Sequence, residues 1–325
     1  MAAKNMATGD LQSQAPVRDH GGNLSAAVAK YGGARSDWID LSTGINPVPY
    51  PLPDFSSNDW SALPDTAVSD DLHNAARHFW KVPHGASILG APGASALIAL
   101  VPALADARWV RIDTPTYNEH AAAFQAQGWR MAECEPAEAC VAVHPNNPDG
   151  RLWKADELTA PLRIIDESFC DVCPEQSLIH LADQPGTLVL KSFGKFWGLA
   201  GLRLGFAIGD PALISQLSDL QGPWAVSGPA LKTGIKALSD PAWAAETRKR
   251  LAEDAKRLDA MVLPKGADLA GGTDLFRLYH VDDAAAWQDR LARAHLWSRI
   301  FPYSSNYLRL GLPPDHGWER LEAAL

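Results

Sequence analysis

Residues 187–209 read TLVLKSFGKFWGLAGLRLGFAIG. The run Thr187–Leu190 is apolar after its first residue and reads as a buried strand, and it ends in the turn Lys191-Ser192-Phe193-Gly194-Lys195. A second apolar run, Leu204–Ile208, stops at Gly209-Asp210, with a helix beginning near Pro211. The same alternation recurs upstream. Ala86–Leu89 reads as a strand, followed by a turn at Ala91-Pro92-Gly93 and a helix from Ala94. Trp109–Ile112 reads as a strand and Asn118–Gln127 as a helix, with further strands at Cys140–Val143 and Leu162–Ile165. Short strands alternating with helices predict an α/β fold, with a mostly parallel central sheet covered by helices on both faces.

Downstream the pattern changes. Pro229 to about Leu263 is helical and charged, Thr273–His280 and Tyr307–Leu310 read as strands, and Asp283–Ala294 reads as a helix. Strands grouped with few helices predict a small α+β domain. The expected division is an N-terminal arm over 1–45 that contributes to the small domain, a large domain over 46–225, and the small domain over 226–325. Pro47–Asp54 holds four prolines in eight residues and is the one linker-like stretch.

The chain of 325 residues is 46 % hydrophobic and 21 % charged, ordinary for a globular protein, with ample length for a sizeable core. Its net charge of −9 argues against a nucleic-acid partner, which calls for a basic stripe, but leaves room for a few local cations in a pocket. The opening segment MAAKNMATGDLQSQAP is polar and small, and the apolar stretch around Ala94–Leu104 is too short for a bilayer and broken by Pro102. A cytoplasmic protein with no membrane association is expected. Four cysteines are too few for a disulfide scaffold. Cys170-Asp171-Val172-Cys173 is a C-x-x-C, but the spacing of Cys134 and Cys140 and the lack of paired histidines do not suit zinc, so no metal is expected.

In a parallel sheet, ligands bind beyond the carboxyl ends of the strands. Five polar loops fall there: APGAS (91–95), DTPTY (113–117), HPNNPDG (144–150), DES (166–168) and KSFGK (191–195). Gly93, Ala94 and Ser95 lie between a strand and a helix start, where backbone N–H groups can approach a phosphate. Asp166 at a strand end can hold a protonated ring nitrogen, and the turn Asn146-Asn147-Pro148-Asp149-Gly150 can present an amide to a ligand oxygen. Lys195, in a partly apolar pocket, can lose its proton and act as a nucleophilic amine, leaving Ser192 and Arg203 for an anion.

S-x-x-K followed after eight residues by Arg, together with NNPDG and DESF, resembles the fold-type I pyridoxal-phosphate enzymes, and the match runs through nearly all of the chain after residue 20. The resemblance implies pyridoxal 5′-phosphate as cofactor and Lys195 as the lysine that bonds it and moves protons. It implies that Asp166 pairs with the pyridine nitrogen, Asn147 contacts the ring hydroxyl and Tyr117 stacks on the ring. The phosphate falls to Gly93, Ala94, Ser95, Ser192 and Arg203, and the substrate carboxylate to Arg309 in NYLRLGLP. A homodimer is expected on the same ground.

The opening HGGNLSAAVAKYGG…WIDLSTGINPVPYP closely resembles that of threonine-phosphate decarboxylases of cobalamin biosynthesis. Histidinol-phosphate aminotransferases share N-x-N-P but generally lack HGGN. The resemblance implies decarboxylation of O-phospho-L-threonine to 1-aminopropan-2-yl phosphate. His20, Gly22, Asn23, Asn46 and Arg299 join Arg309 as candidates for holding that small phosphorylated substrate, and Arg35 is a further cation. The alternatives are an aminotransferase of the histidinol-phosphate type and a non-catalytic pathway partner with the same fold or a zinc site. Three positions depart from the family pattern. Gly194 stands where Ser or Thr is usual, Leu63 where a Tyr commonly reaches the phosphate across the dimer, and Phe169 where many aminotransferases have Tyr.

Overall fold

The computed structural model describes residues 18–325 except 107, 134 and 135. In chain order the strands are β1 (Ile39–Asp40), β2 (Ser87–Ala91), β3 (Trp109–Ile112), β4 (Arg130–Met131), β5 (Ala139–Val143), β6 (Leu162–Asp166), β7 (Thr187–Ser192) and β8 (Gly205–Gly209). They continue with β9 (Asp268–Thr273), β10 (Phe276–His280), β11 (Leu296–Trp297), β12 (Arg299–Phe301) and β13 (Ser304–Gly311). Seven of these make one sheet in the order β2-β8-β7-β6-β5-β3-β4, parallel except for β8, which runs antiparallel to both β2 and β7.

Strand alternation divides the sheet's side chains between two apolar layers. Val141, Ile164, Leu188, Leu190 and Ala207 pack with Leu97, Phe124 and Leu217 of the helices Ala94–Leu100, Asn118–Ala126 and Pro211–Gln221. Their neighbours Cys140, Ala142, Ile165, Val189, Phe206 and Ile208 face a larger core with Leu72, Trp80, Trp197 and Leu251. Because both faces are covered, the central strands lose polar–apolar alternation and are buried throughout.

The four-stranded sheet β12-β13-β10-β9 is antiparallel. The reading of Thr273–His280 as one strand is corrected: it holds the end of β9 and all of β10, joined by a tight turn whose Leu275 is fully buried. The turn is only Asp274-Leu275, and a single polar residue followed by a buried apolar one is indistinguishable from the alternation of a continuous strand. The arm joins this part of the molecule through β1, which pairs in parallel with β11, and through Trp38, which packs with Ala27 and Ala292. No helix among the described residues is long and apolar enough to cross a membrane.

Candidate active site

The carboxyl ends of β5, β6 and β7 and the start of the helix Ala94–Leu100 surround an inner cavity of about 100 Å³. It is lined by Ala94, Ser95, Tyr117, Asn147, Asp166, Ser168, Phe169, Ser192, Gly194, Lys195 and Arg203. An outer cavity of about 310 Å³ shares Tyr117, Asn147, Phe169 and Lys195 with it and adds Asp19, His20, Gly21, Arg299 and Arg309. Lys195 therefore stands between the two.

No hydrogen bond ties Lys195 Nζ to another group among the described residues; it lies 5.3 Å from the Phe169 ring centre. Burial, aided by Arg309 and Arg203, outweighs Asp166 and Asp40 and brings its pKa down to about 8. An amine so placed is a competent nucleophile near neutrality.

Asp166 ends β6 and is buried. Burial alone would raise its pKa, but hydrogen bonds from His120 Nε2 at 2.8 Å and from Ser168 Oγ at 2.5 Å and N at 3.0 Å hold it below the usual carboxylate range. His120 is the residue that motif reading missed. It lies on the helix Asn118–Ala126, three residues past Tyr117, and its partner is remote in sequence. The imidazole keeps Asp166 anionic without exposing it to water.

At the other end of the cavity, Arg203 has a left-handed backbone (φ 55°) and donates to Ala200 O at 2.9 Å. Gly93, at φ +87°, gives it room: a Cβ there would lie 2.4 Å from Arg203 Nη2. Ser192 Oγ accepts from Gly194 N at 3.2 Å.

The two asparagines of the NNPDG turn divide the work. Asn146 donates to Pro115 O (3.0 Å) and Asp149 Oδ1 (2.7 Å) and accepts from Thr116 Oγ1 (2.6 Å), so it builds the turn. Asn147 faces both cavities, with Oδ1 accepting from Arg309 Nη1. The turn docks on β9, where Gly272 N donates to Asp149 O at 2.9 Å, and a Cβ on Gly150 would lie 2.0 Å from Gly272 O.

Arg309, buried on β13, also donates to Ser42 O at 2.6 Å. Burial and then Arg299 lower its pKa to about 10, and its Nε has no partner among the described residues. Arg299 on β12 donates to Asp19 Oδ1 at 2.7 Å and Asp19 O at 3.0 Å. His20 pairs with Glu119 at 2.8 Å, and Asn118 donates to Asp19 O at 3.0 Å, so the arm lies over the outer cavity.

The remaining candidates sit elsewhere. Gly22 N donates to Ser42 Oγ at 2.7 Å beside the cavity, Asn23 caps the helix Leu24–Tyr31, and Arg35 approaches Ser25 at 3.4 Å. Asn46 is buried behind the lysine turn. Its Nδ2 donates to Phe196 O at 2.8 Å, and its Oδ1 accepts from Arg250 at 2.6 Å and Val48 N at 3.0 Å. Leu63 is 67 % exposed and far from any role in a lone chain. Cys134 lies outside the described residues. His144, Glu167 and Cys170 bring donor atoms within 4.8 Å of one another, but Glu167 is held by Lys191, and His144 Nε2 and Nδ1 are bonded to Gln176 O and Trp153 N.

The inner cavity thus offers a stabilised anion at one end, an arginine with hydroxyls and a helix start at the other, and a depressed-pKa amine between them. That donor set fits a heterocycle carrying a ring nitrogen, an aldehyde and a phosphate, as the resemblance implies.

The chain matches known proteins along its length. A threonine-phosphate decarboxylase of Sinorhizobium sp is 41 % identical over 322 residues, covering 93 % of this chain and 95 % of that protein. One of Pseudomonas aeruginosa is 38 % identical, covering 94 % and 97 %. Among solved structures, a histidinol-phosphate aminotransferase of Sinorhizobium meliloti in complex with pyridoxal-5′-phosphate superposes with a TM-score of 0.80 at 20 % identity over 93 % of each chain. The model for "Aminotransferase class I and II" matches residues 36–324, which take in Tyr117, Asn147, Asp166, Lys195, Arg203, Arg299 and Arg309 but not the arm before residue 36, so the chain belongs to the class I and II aminotransferase family.

Proposed function

We propose that the protein is a pyridoxal-phosphate-dependent decarboxylase that converts O-phospho-L-threonine to 1-aminopropan-2-yl phosphate and carbon dioxide, a reaction of cobalamin biosynthesis. The observation that carries this reading is the outer cavity, where Lys195 shares a wall with two arginines and the HGGN arm. Two relatives at 41 % and 38 % identity bearing the decarboxylase name support it.

Pyridoxal phosphate, when bound, supplies an electron-withdrawing ring that accepts the electron pair of a bond broken at the substrate's α-carbon. Asp166 would hold the ring nitrogen protonated, with His120 keeping the carboxylate ionised. Asn147 would meet the ring hydroxyl and Tyr117 the ring face. Ala94, Ser95, Ser192 and Arg203 would hold the phosphate. Lys195 would hold the cofactor through Nζ and would carry the proton returned to the substrate's α-carbon.

Which bond breaks is a matter of orientation, since only the bond perpendicular to the conjugated plane can release its electrons into it. Arg309 would grip the α-carboxylate and Arg299 the distant phosphate, two anchors that fix the α-carbon's rotation. Holding the phosphate on Arg299 requires Asp19 to leave it, so the arm's hold on that arginine and the substrate's are alternatives.

The partner surface is proposed as a second copy of the chain. Trp60, Leu63 and Trp224 are 70 %, 67 % and 61 % exposed, and Pro64 and Trp224 line a cavity of about 390 Å³ on that side. Apolar rings this exposed mark a surface made to be covered.

Incubating the holoenzyme with O-phospho-L-threonine and 2-oxoglutarate separates decarboxylase from aminotransferase. The expected result is 1-aminopropan-2-yl phosphate with no glutamate; stoichiometric glutamate overturns the reading in favour of amino transfer.

A further inference from the structure

Asp166 and Lys195 face the cavity, while Glu167 and Lys191 beside them face the opposite side of the sheet. There Lys191 Nζ lies 2.6 Å from Glu167 Oε2 and 3.6 Å from Asp171 Oδ1, with all three side chains buried. Glu167 also accepts from Ser177 Oγ at 2.7 Å and Leu178 N at 2.6 Å. Asp171 accepts the indole N–H of Trp80 on Oδ1 at 2.9 Å and that of Trp197 on Oδ2 at 3.0 Å, and its carbonyl accepts from Arg248 Nε at 2.7 Å. A buried ionic group is tolerated only when its partners are in place, and both oxygens of Asp171 have them.

Trp197 links this network to the reacting amine, two residues from Lys195. Its ring is fully buried and lies between Phe193 (centroids 5.1 Å, planes 11° apart) and Trp243 (5.4 Å, 11°). Tyr50, Phe79 and Phe196 close round the ring at centroid distances of 5.8, 5.3 and 5.2 Å, apolar contacts that fill space but carry no direction. The bond from its N–H to Asp171 is directional and sets which way the indole turns in this packing. Main-chain bonds then carry the constraint along the turn: Tyr50 N donates to Trp197 O at 2.9 Å, and Asn46 N and Gly198 N each donate to Lys195 O at 3.0 Å.

We propose that Asp171 is a positioning residue, which sets the in-plane orientation of Trp197 and through it the seat of Lys195 Nζ relative to Asp166. The inference rests on Lys195 being the cofactor lysine, as proposed above. None of the motifs around Lys195 contains Asp171, and the same bonds give several of the tryptophans a task besides filling space.

The test compares holoenzymes of wild type, Asp171→Asn, Trp197→Phe, their double variant and Trp80→Phe. The readouts are the pH midpoint of the cofactor's visible absorbance without substrate, kcat and KM, and Tm. Asp171→Asn and Trp197→Phe should move the midpoint in the same direction by about half a pH unit and lower kcat about tenfold, with KM changed less than about twofold. The double variant should be no worse than the worse single one, because both break one link. Trp80 donates to the same carboxylate and lies over Lys191, 5.5 Å from Nζ to ring centre, rather than against Trp197, so Trp80→Phe should lower Tm and leave the midpoint in place. Unmoved midpoints and kcat in Asp171→Asn and Trp197→Phe overturn the proposal, whatever happens to Tm. Should Asp171→Asn not fold, Trp197→Phe keeps the stack and decides alone. A wild type that takes up no cofactor on Lys195 overturns the underlying reading together with this one, whereas normal uptake with unmoved midpoints overturns this one only.

Discussion

Lys191 and Lys195 are four residues apart and meet opposite fates. Burial works against the charge of both. For Lys191, Glu167 and Asp171 overcome burial and raise the pKa; for Lys195, Arg309 and Arg203 add to burial and the pKa falls to about 8. Between that value and the ordinary 10.5, the unfolded chain holds a proton on Lys195 that the folded chain does not, so the cofactor-free protein gains stability as pH rises through this window. Lys195→Met should therefore make the cofactor-free protein more stable at pH near 7, by about 1 kcal/mol or roughly 2 °C in Tm. The gap should close above pH 10.5, where the lysine is neutral in the folded and the unfolded chain alike. Calorimetry across that range checks it, and a less stable variant at neutral pH contradicts it. Asp166 has the opposite sign: its pKa is lowered on folding, so its contribution is present at neutral pH and lost as acid titrates it. Lys195, Asp166, Asn147 and Arg203 were legible because motif spacing places them at strand ends. His120 and Asp171 were not. Their partners lie 46 residues away for His120 and 26 for Asp171 with Trp197, so only the folded sheet brings them together.

At the scale of elements, the pairing of β12 with β13 sets Arg299 opposite Arg309, so two guanidinium groups share one face of an antiparallel pair. That arrangement is unfavourable without an anion, and Asp19 supplies one to Arg299. Arg299→Ala should raise KM for O-phospho-L-threonine by about 10- to 100-fold, the worth of a charge-assisted contact, and should also lower kcat, because one of the two anchors that fix the α-carbon's rotation is gone. Steady-state kinetics would show it; unchanged KM and kcat would contradict a phosphate anchor at Arg299. In Asp19→Asn the competing charge is gone, so inorganic phosphate should bind the holoenzyme about threefold more tightly by calorimetry, and unchanged affinity would contradict the competition. Sequence reading found β13 but not β12, a strand of three residues whose Arg-Ile-Phe has no periodicity to detect. The central strands were legible because full burial made them uninterrupted apolar runs. β1, β4 and β11, each two residues long, owe their form to their neighbours.

Across the whole molecule, the net charge of −9 describes the surface, while Arg203, Arg299 and Arg309 give the two cavities a cationic lining. Seven of the twelve tryptophans fall into three groups. Trp80, Trp197 and Trp243 form the array behind the lysine turn, Trp38 and Trp297 hold the arm, and Trp60 and Trp224 stand exposed. The last group predicts a dimer. Light scattering should give twice the 35.0 kDa chain mass, and Leu63→Glu with Trp224→Glu should give the single chain; a wild-type monomer would contradict the assignment of that face. The measurement that bears most directly on the central claim is release of labelled carbon dioxide from carboxyl-labelled O-phospho-L-threonine by the wild type and by Lys195→Ala. Stoichiometric labelled carbon dioxide from the wild type and none above background from Lys195→Ala is the expected result; retention of the label in a keto acid, or equal release by both proteins, would contradict it.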